Sequence, residues 1–464
     1  STLVRHFLDE LQSKEPNRLV LSGRCYQQES IPYKTFDSII DSLSQHLKHL
    51  SNTVNLPNPP GIIALTRLFP VLQQVDELQN KNSSITPSSQ ELRRRAFTAL
   101  RELISWLAKQ NPLILYIDDL QWGDIDSVGL MAEILSPPNP PPILLIATYR
   151  TEETESSPLL RKLLPLAQIG KLSEVQKIEV KEFDLEQAQQ LVVSLLNKKL
   201  LAAFSKNQLP IENIIKDSNG SPFFIIELAR FLQNSEASAD DINTFATNTL
   251  DQALKQRIFQ LPDAAKELLE IVAVAGQPIK LDVIKKLLKE KLKKHGSLLL
   301  LRTNYLIRVR ETQNQEEIET YHDRIRETIL GYLEKQILKD YHLNLALTLE
   351  KDSDTAPERL MRHFHQAENY QAAYNYALTA ASNASQALAF DQAAEVYEFI
   401  LDLIDNKQIN VNSNELHKLR IKLGDSLTNA GRGKQAALAY LLAADNATNQ
   451  EEVVELKRRA AEEL

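Results

Sequence analysis

The sequence predicts an α/β core with a parallel sheet, followed by domains that are mainly helical. Two short strands, LILYI at 113–117 and ILLIA at 143–147, are apolar at every position, and amphipathic helical patterns separate them. Strands of this kind are buried on both faces, which indicates a parallel sheet covered by helices. Beyond about residue 335, alanine-rich helical patterns with a recurring string predict helical-hairpin repeats.

The length and composition indicate a soluble protein of several domains. The chain has 464 residues, 43% of them hydrophobic and 25% charged, values that are typical of globular proteins. No apolar run approaches the ~20 residues that span a bilayer, and the first residues lack a signal pattern. The single cysteine, Cys25, excludes an internal disulfide and a Cys-based metal site. We therefore expect a cytoplasmic protein, and a net charge of −8 argues against a nucleic-acid surface.

The elements of the first 158 residues alternate between helix and strand patterns. STLVRHFLDELQS predicts a helix, RLVLSGRC a strand and YKTFDSIIDSLSQHLKHL a second helix. The loop NKNSSITPSS ends in a capping box, Ser88 with Glu91, that opens a helix through residue 110. A helix through SVGLMAEIL then separates the two apolar strands. Residues 1–158 are accordingly assigned to the α/β core.

Helical patterns replace strands from about residue 159. Residues 159–249 are predicted to form a helical lid, with helices at LEQAQQLVVSLL and PFFIIELARFLQ and a polar stretch near NSEASADD. Residues 250–335 show three helical patterns followed by the strand-like segments YLIRVRE and EIETYHD. Three helices and a small hairpin are typical of a winged helix.

Residues 336–464 are predicted to form tetratricopeptide-like helical repeats. The strings QAAYNY, QAAEVY and QAALAY begin at 371, 392 and 435, spacings of 21 and 43 residues. Small alanines permit close helix approach and the tyrosine fills the groove. The spacings depart from the ~34 residues of regular arrays, so a plain helical bundle is the alternative. Because the chain stops inside a helical pattern, we expect it to continue.

Two adjacent carboxylates, Asp118 and Asp119, end the first apolar strand. A carboxylate at a strand end can hold the oxygen shell of Mg²⁺, and a second acidic residue can orient an attacking water. Asp118 fits the first role and Asp119 the second, with a buried strand ending in an acidic turn as the alternative. Thr148 and Arg150 end the next strand and are candidates for contacts to the γ-phosphate. A surface arginine is the alternative for Arg150.

Four motifs in this order, DDLQWGDIDS, IATYR, GSPFFIIEL and YHDRIRE, resemble the STAND class of signalling ATPases, relatives of the AAA proteins. GRCYQQESIPYKTFDSIID and ELRRRAFTALRELI resemble most the origin-recognition-complex-like ATPase module of large bacterial serine/threonine protein kinases. The resemblance covers nearly the whole chain and implies a P-loop NTPase-like core. It also implies that Pro222 packs near adenine and that His322 senses the β-phosphate of ADP. A tight turn at Pro222 and a locally satisfied histidine are the alternatives.

The phosphate-binding loop that should accompany such a strand is not found in these residues. None of the 12 glycines heads a G-x-x-x-x-G-K-[ST] motif. In the family this loop runs into a helix that reads [ST]-x-L-V-x-x-F, and the chain begins STLVRHF. Ser1 thus resembles the magnesium-binding hydroxyl that follows the lysine. We expect a segment with an incomplete sheet that alone binds nucleotide weakly or not at all.

The resemblance implies an ATP/ADP-dependent regulatory switch that uses Mg²⁺. Its repeats would bind a protein, a peptide or a small ligand, an attached kinase domain would be the intramolecular partner, and nucleotide could drive oligomerisation. Two other classes remain open. One is a catalytically inactive interaction scaffold. The other is the ATPase module of a transcription regulator, nucleotide cyclase or histidine kinase, although the basic run VIKKLLKEKLKKH is usually a solvated face.

Overall fold

The computed structural model describes residues 1–29, 31–51, 53–75, 78, 88–172, 174–195, 220–226, 250–288, 296–312, 315–447 and 449–464. These residues divide into two compact units. The first is Ser1–Val175 with Leu349–Leu464, and the second is Gln176–Thr348. The predicted stretch near NSEASADD and most of the predicted lid lie outside the described residues. Within the described ranges, no helix has the length and apolar character needed to cross a membrane.

The sheet of the first unit has three parallel strands in the order β1–β2–β3. They are β1 Leu19–Arg24, β2 Leu113–Asp118 and β3 Ile143–Ala147. All six residues of the central strand β2 are buried, as its apolar pattern predicts. β3 lies at one edge of the described strands, and the side chain of Leu144 on this strand is 46% exposed. The predicted burial on both faces therefore holds for β3 only in part.

Six helices lie around this sheet in the described part of residues 1–168. They are α1 Thr2–Lys14, α2 Lys34–Leu50, α3 Ile62–Leu68, α4 Ser89–Gln110, α5 Asp126–Leu135 and α6 Pro158–Gln168, with single 3₁₀ turns at Pro70–Gln74, Leu120–Trp122 and Thr151–Glu153. Four of them, α1, α2, α4 and α5, were predicted, whereas α3 and α6 were not. The side chain of Ser88 accepts the N–H of Glu91 at 3.3 Å, which is one half of the predicted capping box of α4, while the carboxylate of Glu91 accepts from Arg94 and Arg95 instead. The residues before it, 81–87, lie outside the described part of the chain.

The helical repeats of the first unit are built from successive packed helices. These are α14 Pro357–Gln366, α15 Tyr370–Gln386, α16 Phe390–Asp405, α17 Ser413–Asn429, α18 Gly433–Ala444 and α19 Gln450–Glu462. The three recurring strings lie at the beginnings of α15, α16 and α18. Each string therefore marks one helix, which explains why the first spacing is shorter than a whole hairpin. A Cβ atom on Gly424 would lie 2.4 Å from Cε1 of Tyr440, so this glycine admits the tyrosine ring as predicted.

The repeats share a hydrophobic core with the α/β core. Leu388, Phe390 and Ala393 belong to the same buried cluster as the apolar residues of the sheet and its helices. The buried hydroxyl of Tyr33 donates to the carbonyl oxygen of Leu388 at 2.8 Å. The guanidinium of Arg93 lies over the ring of Phe390, 5.6 Å from its centroid. The first repeats are thus part of the same folded unit as the sheet.

The second unit contains a small antiparallel sheet packed with helices. Its elements are α7 Leu185–Leu195, α8 Leu250–Phe259, α9 Asp263–Ala275, β4 Ile279–Lys280, α10 Leu281–Leu288, α11 Ser297–Thr303, β5 Ile307–Thr312, β6 Gln315–Thr320 and α12 Asp323–Tyr332, and α13 Lys335–Leu349 leads out of it. The strand order is β4–β6–β5. The three predicted helices and the predicted hairpin are present, whereas β4 and α11 were not expected. The short β4 and the seven-residue α11 give too weak a periodicity to be predicted.

Candidate functional site

The carboxylate of Asp118 lies buried at the carboxyl end of β2, with only 2% of its side chain exposed. Its Oδ1 atom accepts a hydrogen bond from the hydroxyl of Ser1 at 2.7 Å and from the hydroxyl of Thr148 at 2.7 Å. Burial alone would raise the pKa of Asp118, but the hydroxyls of Ser1 and Thr148, together with the nearby hydroxyl of Tyr116, lower it below its ordinary value. Asp118 is therefore a carboxylate at neutral pH.

The second oxygen of Asp118 makes this carboxylate a suitable metal ligand. Oδ2 is buried and makes no hydrogen bond to the described residues, and the nearest cation is Arg5 at 3.5 Å. In the described part of the chain no group of three or more His, Cys, Asp and Glu could form a metal cage. Mg²⁺ at phosphate sites uses only one or two protein ligands beside water and phosphate oxygens. Asp118 and the Ser1 hydroxyl fit such a site.

The neighbouring Asp119 lies where the chain turns out of the sheet. Its φ of 57° places it in the left-handed region, and the 3₁₀ turn follows it directly. Each of its carboxylate oxygens accepts one hydrogen bond. Oδ2 accepts from Nε of Arg24 at 2.9 Å, and Oδ1 accepts from the side-chain amide of Gln121 at 3.2 Å. The orientation of this carboxylate is thus fixed by the end of β1 and by the turn.

Polar groups at the end of β3 form hydrogen bonds with Asp118, Asp119 and Gln121. The backbone N–H of Asp119 donates to the hydroxyl of Thr148 at 3.2 Å, while that hydroxyl donates to Asp118. The backbone N–H of Arg150 donates to the side-chain oxygen of Gln121 at 3.3 Å. Asp118, Asp119 and Thr148 therefore meet at one edge of the sheet together with Ser1. Arg150 joins them through its backbone.

The rest of the DDLQWGDIDS motif has structural roles. A Cβ atom on Gly123 would lie 2.4 Å from a methyl group of Leu159, so this position needs glycine. The carboxylate of Asp124 accepts hydrogen bonds from the backbone N–H and hydroxyl groups of Thr35 and Ser127, which fixes the beginnings of α2 and α5.

Asp126, in the same motif, attaches α5 to the repeats. Its side chain is 1% exposed, and its two oxygens accept the backbone N–H groups of Asp391 at 3.3 Å and Gln392 at 2.9 Å. Those N–H groups lie in the first turn of α16, where helical amides lack intrahelical partners. Arg93 lies 3.5 Å from the same carboxylate.

The two predicted nucleotide contacts of the second unit, Pro222 and His322, come close to each other through Phe223. Residues 222–226 are helical, and Pro222 is exposed at the first helical position. The ring of Phe223 stacks on His322 with centroids 3.9 Å apart. Nδ1 of His322 accepts the backbone N–H of Arg324 at 3.1 Å and caps α12. In the neutral ring the proton is then on Nε2, which makes that nitrogen a donor.

The tight turn before Pro222 depends on glycine. Gly220 has a φ of 69°, and a Cβ atom there would lie 2.3 Å from the carbonyl oxygen of Phe183. The carbonyl oxygen of Gly220 accepts the N–H of Phe183 at 2.9 Å. The turn that sequence analysis offered as the alternative for GSPFF is therefore present, and it does not conflict with a ligand contact at the exposed Pro222.

Sequence analysis missed two residues that contact Asp119. Arg24 could have been found, because it ends a strand beside β2 and the carboxyl ends of parallel strands lie at one edge; in register it lies opposite Asp118. Gln121 gave no signal, because its contact depends on the left-handed turn at Asp119.

The first third of the chain is similar to a known protein family. Residues 1–146 match the family model of the AAA ATPase domain, a nucleotide-binding domain, and these residues include Asp118 and Asp119. The chain is also similar to a solved structure, that of a Signal Transduction ATPase with Numerous Domains (STAND) protein with a tetratricopeptide repeat sensor from Pyrococcus horikoshii. It has 13% sequence identity and a TM-score of 0.43, over 98% of this chain and 72% of that chain. A search of curated proteins gave no match.

Proposed function

We propose that this chain is the ATP/ADP-dependent switch of a bacterial multidomain signalling protein, and that the protein also carries a serine/threonine kinase domain. The observation that carries the proposal is the buried Asp118 carboxylate, with the hydroxyls of Ser1 and Thr148 on one oxygen and the half-exposed Arg5 at 3.5 Å from the other. An ion pair with a half-exposed arginine can be exchanged for a bound Mg²⁺, which takes carboxylate and hydroxyl oxygens as ligands.

The residues at the end of the sheet take separate roles in this proposal. Asp118 and Ser1 hold Mg²⁺, which neutralises phosphate charge when it is bound with the nucleotide. The carboxylate of Asp119 orients the attacking water, because Arg24 and Gln121 fix its plane. Thr148 and Arg150 follow the next strand and contact the γ-phosphate.

The second unit distinguishes ADP from ATP in this proposal. Pro222 packs near the adenine, and Nε2–H of His322 donates to the β-phosphate. We propose that residues 250–335 act as a winged helix that clamps ADP in a closed state. Exchange for ATP then shifts the protein to an open state, because the two nucleotides differ in affinity for the two states. The repeats bind a protein, peptide or small ligand that biases the same equilibrium.

Nucleotide titration of the full-length protein tests the metal role of Asp118. Asp118→Asn keeps the shape but removes the charge, and we expect Mg²⁺-dependent ATP affinity to fall by at least about 10- to 100-fold, the loss that is typical even for residues that only support a metal ligand. The control is Asp9→Asn, an exposed carboxylate on α1, which should bind as the wild type does. Full retention of Mg²⁺-dependent binding in Asp118→Asn would contradict the metal role. Absence of any nucleotide binding in the wild-type protein would favour an interaction scaffold.

Two further variants separate hydrolysis from sensing. Asp119→Asn should abolish phosphate release while ATP binding stays close to that of the wild type. His322→Ala should weaken ADP binding more than ATP binding. Unchanged turnover in the first variant, or unchanged ADP affinity in the second, would remove that residue from its role.

A further inference from the structure

We propose that Gln121 is a positioning residue, which fixes the carboxylate of Asp119 and connects it to the backbone that follows β3. The inference rests on the proposed hydrolytic role of Asp119. The observation behind it is the side chain of Gln121, which is 2% exposed, carries no charge and forms one hydrogen bond through each of its two polar amide atoms.

The two partners of Gln121 determine which way its amide faces. The carboxylate of Asp119 can only accept, so the NH₂ group of Gln121 must be on that side, 3.2 Å from Oδ1. The backbone N–H of Arg150 can only donate, so the amide oxygen must be on the other side, at 3.3 Å. A side chain at this position therefore needs one donor and one acceptor at opposite ends of a planar group. Glutamine has this combination at this length.

The hydrogen bond from Gln121 completes the orientation of Asp119. Nε of Arg24 donates to Oδ2, and this hydrogen bond by itself allows the carboxylate plane of Asp119 to rotate about it. The second donor, on Oδ1, removes that rotation. A group that orients water must keep its lone pairs directed at one point, since a displacement of about 1 Å can cost about 100-fold in rate.

Gln121 also connects Asp119 with the end of β3. The carbonyl oxygen of Thr148 accepts the N–H of Leu120 at 2.8 Å, so the turn and the end of β3 are joined by the backbone as well. A shift of the backbone at Arg150 would move the amide oxygen of Gln121 and, through the rigid amide, the donor on Asp119. Contact of nucleotide with residues 148–150 would thus alter the orientation of the hydrolytic carboxylate.

Two substitutions at Gln121 separate its two hydrogen bonds. Gln121→Glu has the same shape and still accepts from Arg150, but it loses the donor and places a second carboxylate beside Asp119. Gln121→Met has a similar length and forms neither hydrogen bond. The matched control is Gln110→Glu, the same change at an exposed residue at the end of α4.

Steady-state ATP hydrolysis by the full-length protein gives the first readout. We expect Gln121→Glu to lower kcat by about 10- to 100-fold while KM for ATP changes by less than about 3-fold. The loss should shrink at acid pH, where the introduced carboxyl group regains a proton and with it a donor.

Amide hydrogen exchange gives a second readout that needs no nucleotide. The N–H of Arg150 should exchange faster in Gln121→Met than in the wild type, and it should stay protected in Gln121→Glu, which keeps the acceptor. Equal exchange in all three proteins would overturn the contact to Arg150.

The outcomes also separate this inference from the proposed function. An unchanged kcat in Gln121→Glu, or a loss of kcat that does not shrink at acid pH, would overturn the positioning role while leaving ATP hydrolysis intact. A wild-type protein without ATP turnover would contradict the hydrolytic role of Asp119 and, with it, this inference.

Discussion

Arg24 donates from Nε to Oδ2 of Asp119 at 2.9 Å, and both side chains are largely buried, with 15% and 14% of their surface exposed. The pair joins the carboxyl ends of β1 and β2, and the ring of Tyr26 lies beneath the guanidinium of Arg24. A buried charge that loses its partner is strongly destabilising, because its desolvation is no longer compensated. The contact between these two residues should therefore contribute measurably to the free energy of unfolding.

Removal of Arg24 tests this pair without any nucleotide. Arg24→Met keeps the stem of the side chain but removes the charge and the donor, and we expect the free energy of unfolding to fall by about 2 kcal/mol. In an Asp119→Asn background the same substitution should cost about 1 kcal/mol less. Denaturant unfolding of the four proteins measures both values. Strictly additive effects would show that the two side chains are not coupled.

Asp126 should be important for the stability of the first unit. Asp126→Ala leaves the N–H groups of Asp391 and Gln392 without their acceptor, and we expect a loss of about 1–3 kcal/mol. Asn412→Ala, which removes an exposed helix cap on α17, is the control and should cost no more than about 1 kcal/mol. Faster hydrogen exchange at residues 391 and 392 in Asp126→Ala alone would confirm the contact. Equal exchange in wild type and Asp126→Ala would contradict it.

Gly424 tests the packing of the repeats. Gly424→Ala places a methyl group 2.4 Å from the ring of Tyr440, which has to move, and we expect a loss of about 1–3 kcal/mol. Gly331→Ala is the matched control, since a Cβ atom in that helical position has no atom within 4 Å. It should be neutral or stabilise by up to about 1 kcal/mol through helix propensity. Thermal unfolding of both variants gives the comparison, and equal shifts would contradict the contact.

Glu358 should make stability depend on pH. Burial raises the pKa of Glu358 to about 7, whereas in the unfolded chain it is about 4.3. The folded state therefore binds more protons between these values, and its stability falls as the pH rises from about 4 to about 7. Glu358→Gln is neutral throughout, so it should unfold at a higher temperature than the wild type at pH 8, by a margin that shrinks towards pH 4. Glu155→Gln, at an exposed position, is the control and should unfold at the same temperature as the wild type. If Glu358→Gln also unfolds at the wild-type temperature at pH 8, the pKa of Glu358 is not raised.

The sheet and its polar edge could be predicted from the sequence because each signal is local. LILYI and ILLIA are apolar at every position, and the polar residues that follow them lie at the carboxyl ends of parallel strands. That rule alone placed Asp118, Asp119 and Thr148 together, and the structure joins the first and last by a hydrogen bond of 2.7 Å. The family resemblance added Ser1, which no local pattern would have assigned to the same carboxylate.

The contacts that sequence analysis missed depend on structure beyond any local pattern. Gln121 reaches Asp119 because the chain takes a left-handed turn between strand and 3₁₀ helix, and nothing in the residue types of LQW indicates that turn. Asp126 accepts from a helix 265 residues further along the chain. No periodicity connects two such positions, and the sequence gives no local signal for the contact of Asp126.

The shared core of the first unit has a consequence for how the protein is made. Leu388, Phe390 and Ala393 complete the hydrophobic cluster of residues 1–175, but they are synthesised only after residues 176–348, which form a separate compact unit. During translation the three-stranded sheet emerges before residues 176–348 and stays without part of its core until the beginning of α16 has left the ribosome. The inserted unit has its full sequence by then and can fold as a unit in the meantime. The sheet is thus made well before the residues that complete its core, and it needs protection from aggregation for that interval.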